Sequence, residues 1–485
     1  LRHRRMDFLN FFKASFFFVI TKYIVILLNF IRSIIIASSL GPNSLGEYAI
    51  LVIILEYFYY TNLGIFFSMT KEVSINIDQK GKQEYVKKII NNTVSFQSIN
   101  SIFVLAFFAL FFGFEYYGFF QIEIFNTNYL FYILTLGIIY QAKSFIFSYL
   151  RLYDRINEMV KIEFFSSLFV FLGIYFFVDD FGLDAIFLIS IIVNLFVLIP
   201  YIKKISKFKF ILELKIVQVL IYVGLPLLLF NFLSLMITTI DRIMINQLVS
   251  SNREALGIYH LGYLLSFGVM TAFNSVIFLL LPKMLKQFHS SKEVYSLMFN
   301  QTKFTEFILA SILILAIITI SPFIQFFLEE YKRSVLVMQL LLFAYFMKGL
   351  AFLPESYLIA NNKHMNTLVI FFLSLLNALF LNYFSIILGY GIYGVAIATI
   401  GTFYIYTVGI FCLYFHFEQI KIYKGITRVI LRPMLFMTIS TVLLYENITT
   451  LWLVIVFLVF YLRDIVIYLK KTINLSQEFL NSKKS

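Results

Sequence analysis

Lys22, Arg32, Lys143, Arg242 and Lys348, and the carboxylates Glu56, Asp241 and Glu355, stand inside or at the ends of long apolar stretches. A charge placed in hydrocarbon costs about 2.5–3.5 kcal/mol on insertion scales, so each of these groups needs a wet cavity, a partner or an escape to the interface. Arg grips phosphate oxygens through parallel N–H donors and Lys offers a mobile point charge, so the five bases could bind an anionic group. Lys22 precedes Arg32 by ten residues, about 15 Å along one helix, which would let the two hand an anion from one leaflet towards the other. A carboxylate desolvated among apolar residues favours its neutral form, so Glu56, Asp241 and Glu355 could carry a coupling ion.

Each residue also has a plainer reading. Arg32 could snorkel to the outer interface, Lys22 to the inner one, and Arg242 could pair with a nearby carboxylate, for which Asp241 is at hand. Lys143 and Lys348 could donate to backbone carbonyls of a neighbouring helix, and Glu56 could be a neutral, hydrogen-bonded structural acid. Tyr57, Tyr59, Tyr60, Tyr259 and Tyr263 could stack on sugar rings, but among 32 tyrosines interface anchoring is the simpler role. Asp179-Asp180 fits a solvated turn. Pro354, just before Glu355, could break its helix and expose carbonyls.

These residues must be positioned by helices. With 61% hydrophobic and 13% charged residues in a chain of 485, and no polar stretch long enough for a separate domain, a soluble enzyme is excluded and covalent catalysis is not expected. Apolar runs of about 20 residues, each matching a ~30 Å hydrocarbon core, recur throughout. Hydropathy and turn punctuation predict fourteen spans at roughly 14–38, 45–69, 91–112, 127–150, 159–178, 183–202, 216–240, 256–281, 304–328, 335–360, 366–388, 391–415, 429–446 and 450–469. No cleavable signal peptide is expected, and Met6 is a candidate start, so nothing rests on Arg2, Arg4 or Arg5. The single cysteine, Cys412, excludes an intrachain disulfide framework and any multi-cysteine metal site, and no cofactor is expected.

Most of the 39 basic residues fall at one set of loop ends if both termini are cytoplasmic. Lys71, Lys82, Lys87, Arg151, Lys161, Lys215, Lys303, Lys363, Lys421, Lys424, Arg428 and Arg432 are among them, whereas the opposite ends hold Arg242, Arg253, Lys332 and Arg333. The formal charge of +13 is therefore mainly a topology signal facing anionic lipid, and nucleic acid is not an expected partner. Arg463 joins the bases that lie in or near a span.

The chain repeats itself. Arg32 aligns with Arg242, and Leu45-Gly46-x-Tyr48 with Leu256-Gly257-x-Tyr259; Lys143 and Ser148-Tyr149-Leu150 align with Lys348 and Ser356-Tyr357-Leu358; Gly182-Leu183 aligns with Gly391-Ile392. All pairs lie roughly 210 residues apart and keep their order, so spans 1–6 recur as spans 7–12. Six is even, which gives the halves one orientation, an arrangement used by transporters that bind substrate between halves.

Twelve repeated spans plus two, with these connecting motifs, Asn62-Leu63-Gly64-Ile65 and Leu281-Pro282-Lys283, resemble the Wzx-type O-antigen and polysaccharide repeat-unit flippases of the multidrug/oligosaccharidyl-lipid/polysaccharide exporter superfamily. The resemblance implies an all-α polytopic membrane protein with about fourteen transmembrane helices: two parallel six-helix repeats around a central cavity, MATE-like, plus two C-terminal helices. Its lobes would be 1–210 and 211–425, with 426–485 holding the extra helices and a cytoplasmic tail. It implies a bacterial inner-membrane protein that flips undecaprenyl-pyrophosphate-linked oligosaccharides. Expected partners are the lipid-linked substrate, membrane lipids, a proton or sodium ion, and a polysaccharide polymerase and chain-length regulator. A multidrug or lipid-II exporter of the same superfamily is the nearest alternative, and a membrane polysaccharide polymerase a more distant one.

Overall fold

Every element among the described residues is a helix, and glycines interrupt the two longest. The computed structural model describes the backbone of residues 2–79, 81–116, 127–205, 208–249, 252–290, 294–361, 363–446 and 450–482, and side chains within 20–79, 81–110, 129–201, 208–249, 253–273, 296–361, 363, 365–446 and 450–470. The helices are α1 (Arg2–Phe58), α2 (Ile65–Asn76), α3 (Gln83–Tyr116), α4 (Thr127–Leu152), α5 (Ile156–Ile205), α6 (Leu214–Leu248), α7 (Asn252–Ser290), α8 (Val294–Phe327), α9 (Ser334–Ala360), α10 (His364–Ile387), α11 (Gly391–Phe417), α12 (Ile422–Val429), α13 (Leu431–Tyr445) and α14 (Thr450–Ser482). Short 3-10 turns lie at Tyr59–Asn62 and Glu329–Tyr331.

In α1 the break is Gly41 (φ 69°, ψ 170°), followed by Pro42, whose fixed φ suits the first turn of a new helix. In α5 it is Gly182 (φ 56°, ψ −129°). Eleven helices are long and apolar enough to cross a membrane, and α12 with α13, which meet at a 52° bend, pass the same test only as a pair. The apolar parts of α1 and α5 run through 43 and 46 residues, about twice one crossing, so each supplies two spans divided at its glycine. The fourteen expected segments are thereby found among the described residues. Gly391, the repeat mate of Gly182, has φ 53°, so the third repeat pair shares an unusual backbone conformation as well as sequence.

Three expectations change. The span expected at 45–69 ends in the turn at Tyr59–Asn62; Leu63 (φ 52°) and Gly64 (φ 78°) are left-handed, and α2 restarts beyond them. The span expected at 429–446 is α13, and the short α12 precedes it at a 52° bend that the sequence reading did not foresee. Pro354 does not break its helix, since α9 runs through it and buries it. Leu281-Pro282-Lys283 and most of the connection expected at 113–126 lie outside the described side chains.

The chain forms two compact units, 1–260 and 261–485. In the first, Ile65, Met69 and Val73 along α2 meet Val86, Ile89 and Ile90 of α3 and Phe145, Ile146 and Leu150 of α4, the i, i+4 stripes of helices packed on one side. In the second, α9 is buried on nearly every face. The Thr407 hydroxyl of α11 donates to the Met347 carbonyl at 2.8 Å, and the Ser266 hydroxyl to that of Met338 at 2.9 Å. Phe176, Ile192, Phe196, Trp452 and Val459 are exposed, as lipid-facing side chains are.

Candidate functional site

Arg32 reaches the candidate site from α1, and Lys143 from α4. Both line a cavity of about 740 Å³ in the first unit, together with Lys71 of α2 and Arg151 at the end of α4. Ser144, Ser148, Ser166, Ser167 and Asn194 add hydroxyl and amide groups, while Tyr59 and Tyr140 add aromatic surface. The wall carries no carboxylate among the described residues. Two of its polar atoms are buried without a hydrogen-bond partner: Arg32 Nε and the hydroxyl of Ser166, a residue 4% exposed. An acceptor-rich anion would satisfy both.

Lys143 donates to Asn194 Oδ1 at 2.9 Å, and the Asn194 amide in turn donates to the Ser190 carbonyl at 2.8 Å. The ammonium is thus aimed by a neutral amide. Lys22 is held differently, in an ion pair with Glu163 of α5. Lys22, Arg32 and Glu163 all lie within electrostatic range of Lys143.

Arg242 occupies the repeat position of Arg32 in another environment. It is 0% exposed, its Nε stands 3.8 Å from Asp241 Oδ1, and its Nη2 donates to the Thr238 carbonyl at 2.9 Å. Tyr259 donates to Asp241 Oδ2 at 2.6 Å, and His260 Nδ1 lies 3.5 Å from Arg242 Nη1. The residue before Arg32 is Ile31, so the first copy has no such neighbouring acid. One copy of a duplicated arginine is enclosed and braced by neighbouring groups, and the other lines a cavity wall. Glu56 lies within electrostatic range of Arg242, and its Oε2 is buried with no hydrogen-bond partner.

In the second unit Lys348 stands 5.1 Å over the Phe403 ring and interacts with Glu355, which accepts from the Tyr406 hydroxyl at 2.6 Å. Lys143 and Lys348, repeat mates, each have a carboxylate within electrostatic range, Glu163 and Glu355; Lys143 in addition donates to an amide, whereas Lys348 lies over a ring.

Of the tyrosines, Tyr59 lines the cavity; Tyr57 bonds Thr239 (2.7 Å), Tyr60 donates to the Asn231 carbonyl (2.9 Å), and Tyr263 stacks on Phe267. Asp179 and Asp180 are exposed just before the Gly182 break. Sequence reasoning missed Lys71 and Arg151 as wall residues, because their position at loop ends was fully accounted for by topology. It also missed Glu163, and the ion cluster in which Arg432 of α13 joins Glu306 of α8 and Asp464 of α14. The signal was present: Glu163 and Glu306 are carboxylates inside predicted spans, the same criterion that selected Glu56.

The sequence profile of the family described as polysaccharide biosynthesis protein matches residues 11–288. A sequence comparison with curated proteins finds no match. Among solved structures, the lipid II flippase MurJ in an inward closed conformation is similar with TM-score 0.69 at 16% identity, covering 94% of this chain and 100% of that one. A mutant of the Vibrio cholerae MATE transporter VcmN is similar with TM-score 0.59 at 17% identity, over 85% of this chain and 97% of its own. An inward-facing multidrug resistance MATE family transporter of the MOP superfamily gives TM-score 0.60 at 12% identity, over 83% and 95%. At these identities the likeness concerns the fold, which is that of MATE and MurJ transporters.

Proposed function

Since the chain belongs to the polysaccharide biosynthesis protein family, we propose that it flips undecaprenyl-pyrophosphate-linked oligosaccharide repeat units from the cytoplasmic to the periplasmic leaflet of the bacterial inner membrane. The units would feed O-antigen or capsule synthesis, and a polysaccharide polymerase and chain-length regulator would act on them afterwards. The acid-free basic cavity of the first unit carries this reading. A diphosphate cannot cross hydrocarbon unaided, and Arg32, Lys143, Lys71 and Arg151 offer it cationic donors beside a hydroxyl- and amide-lined wall suited to sugars. Arg32 takes phosphate oxygens through its guanidinium, and Lys143, held by Asn194, supplies a second charge. Lys22 supports the site from its pair with Glu163, and Lys348 is the related base of the second repeat. Arg242 braces the fold. Glu56, with its unpartnered oxygen, carries the coupling proton, while Asp241 and Glu355 are already engaged by neighbours and are weaker candidates. The lobes 1–210 and 211–425 alternate access, with both termini cytoplasmic.

The second reading is a lipid-II exporter. It shares the diphosphate chemistry, and the similarity to a structure named as a lipid II flippase favours it. Export of cationic drugs suits a basic wall poorly. Vesicles containing the purified chain should flip a fluorescent undecaprenyl-pyrophosphate oligosaccharide, and deletion of the gene should remove surface polysaccharide. Flipping of lipid II alone would select the second reading. Transport of cationic dyes with polysaccharide intact would sink both.

A further inference from the structure

Between the last repeated helix and the two extra ones lies α12, whose eight residues sort by chemistry around its axis. Lys421 at its N-cap, Lys424 and Arg428 follow i, i+3, i+7 spacing and share one face; Ile422, Ile426 and Val429 follow i, i+4, i+7 spacing on the other. All three bases are exposed, and none has an ion-pair partner among the described residues. Tyr423 is 62% exposed beside them, an aromatic with an apolar body and a polar tip, as found at membrane interfaces.

The helix is also held in place. A Cβ on Gly425 would fall 2.5 Å from the Phe415 ring of α11, so that edge lies directly on its neighbour, and Val429 is buried. The 52° bend into α13 turns α12 out of line with that span. Just beyond the bend, Arg432 is clamped by Glu306 and Asp464. Orientation alone requires basic residues near this end of the spans. It does not require that they occupy one face of a bent, folded helix with an apolar opposite face.

We propose that α12 is an interfacial helix whose Lys421, Lys424 and Arg428 bind the anionic headgroups of phospholipids in the surrounding leaflet. Charge complementarity selects this occupant: three unpaired cations on a surface helix meet a leaflet rich in acidic headgroups. None of its residues lines the cavity of the first unit, and its occupancy is independent of which lipid-linked substrate is moved.

The test is thermal unfolding of the full chain in uncharged detergent while short-chain phosphatidylglycerol or phosphatidylcholine is titrated in. Phosphatidylglycerol should raise the melting temperature with a saturable midpoint, and phosphatidylcholine should not. Each basic residue removed should raise that midpoint about fivefold, so Lys421→Gln with Lys424→Gln and Arg428→Gln should raise it roughly a hundredfold. A control combining Lys87→Gln, Lys161→Gln and Lys215→Gln, exposed bases elsewhere, should keep the wild-type midpoint. If the triple α12 variant does not accumulate, Lys424→Gln alone should still give the fivefold shift. A wild-type midpoint in the α12 variants, or an equal shift in the control, overturns the proposal; the latter would assign the effect to overall charge.

Discussion

Arg32 and Arg242 share one position of the repeat, and their neighbours give them different work. Arg32→Ala removes a phosphate donor from a cavity wall, so flipping in vesicles should fall roughly ten- to hundredfold, the loss expected of charge-assisted hydrogen bonds, with the amount of protein in the membrane unchanged. Arg32→Lys keeps the charge without the planar fork and should lie between. Normal transport by the Ala variant would show that Arg32 snorkels. Arg242→Ala should instead act on stability: it strands the Asp241 carboxylate in a fully enclosed site, a change that costs about 3–5 kcal/mol. Its melting temperature and membrane level should drop, and adding Asp241→Asn should restore part of both. At Glu56, Gln preserves shape and removes the ionisable proton. Glu56→Gln should therefore retain substrate binding while flipping no longer responds to an imposed pH gradient; an unchanged response would leave Glu56 a structural group.

The two copies of the Leu-Gly-x-Tyr motif bring backbone against backbone in the first unit. A Cβ on Gly46 would overlap the Arg253 carbonyl oxygen, and one on Gly257 would overlap that of Pro42. Each glycine therefore faces the other copy's backbone, and no side-chain rotation can relieve the clash. Gly46→Ala or Gly257→Ala should lower stability by up to about 3 kcal/mol, the upper end for overpacking. Gly389→Ala, whose new Cβ meets nothing within 4 Å although φ is +84°, should cost only about 1 kcal/mol of backbone strain. Thermal melts of the three variants in detergent check the order. Equal losses would mean that the crossing relaxes and does not hold α1 against α7.

For the whole chain, counting α1 and α5 as two crossings each gives six spans between repeat mates, the number that the parallel-repeat proposal uses. Reporters fused after Asn43, Tyr117 and Glu446 should read outside, and those after Lys82, Lys207 and Lys286 inside. Reversal at two or more of these points would mean that a glycine-broken helix does not make two crossings, and the parallel repeat would fail with it.

The sequence alone predicted the spans and the duplication, because hydrocarbon thickness acts over a helix length and a repeat is read directly from residue order; the left-handed breaks at Gly41 and Gly182 came from the structure. The sequence also selected Arg32 and Lys143, since a charge in an apolar run is visible locally. Which cations are spent and which are free was decided only by tertiary structure. Lys22 finds Glu163 across 141 residues and Lys143 finds Asn194 across 51, while Arg432 finds Glu306 across 126. Spacing within a helix states which residues share a face, but the face it meets depends on packing against helices distant in the chain. For the same reason Lys71 and Arg151 read as orientation charges in sequence, and only the folded first unit places them on the wall beside Arg32.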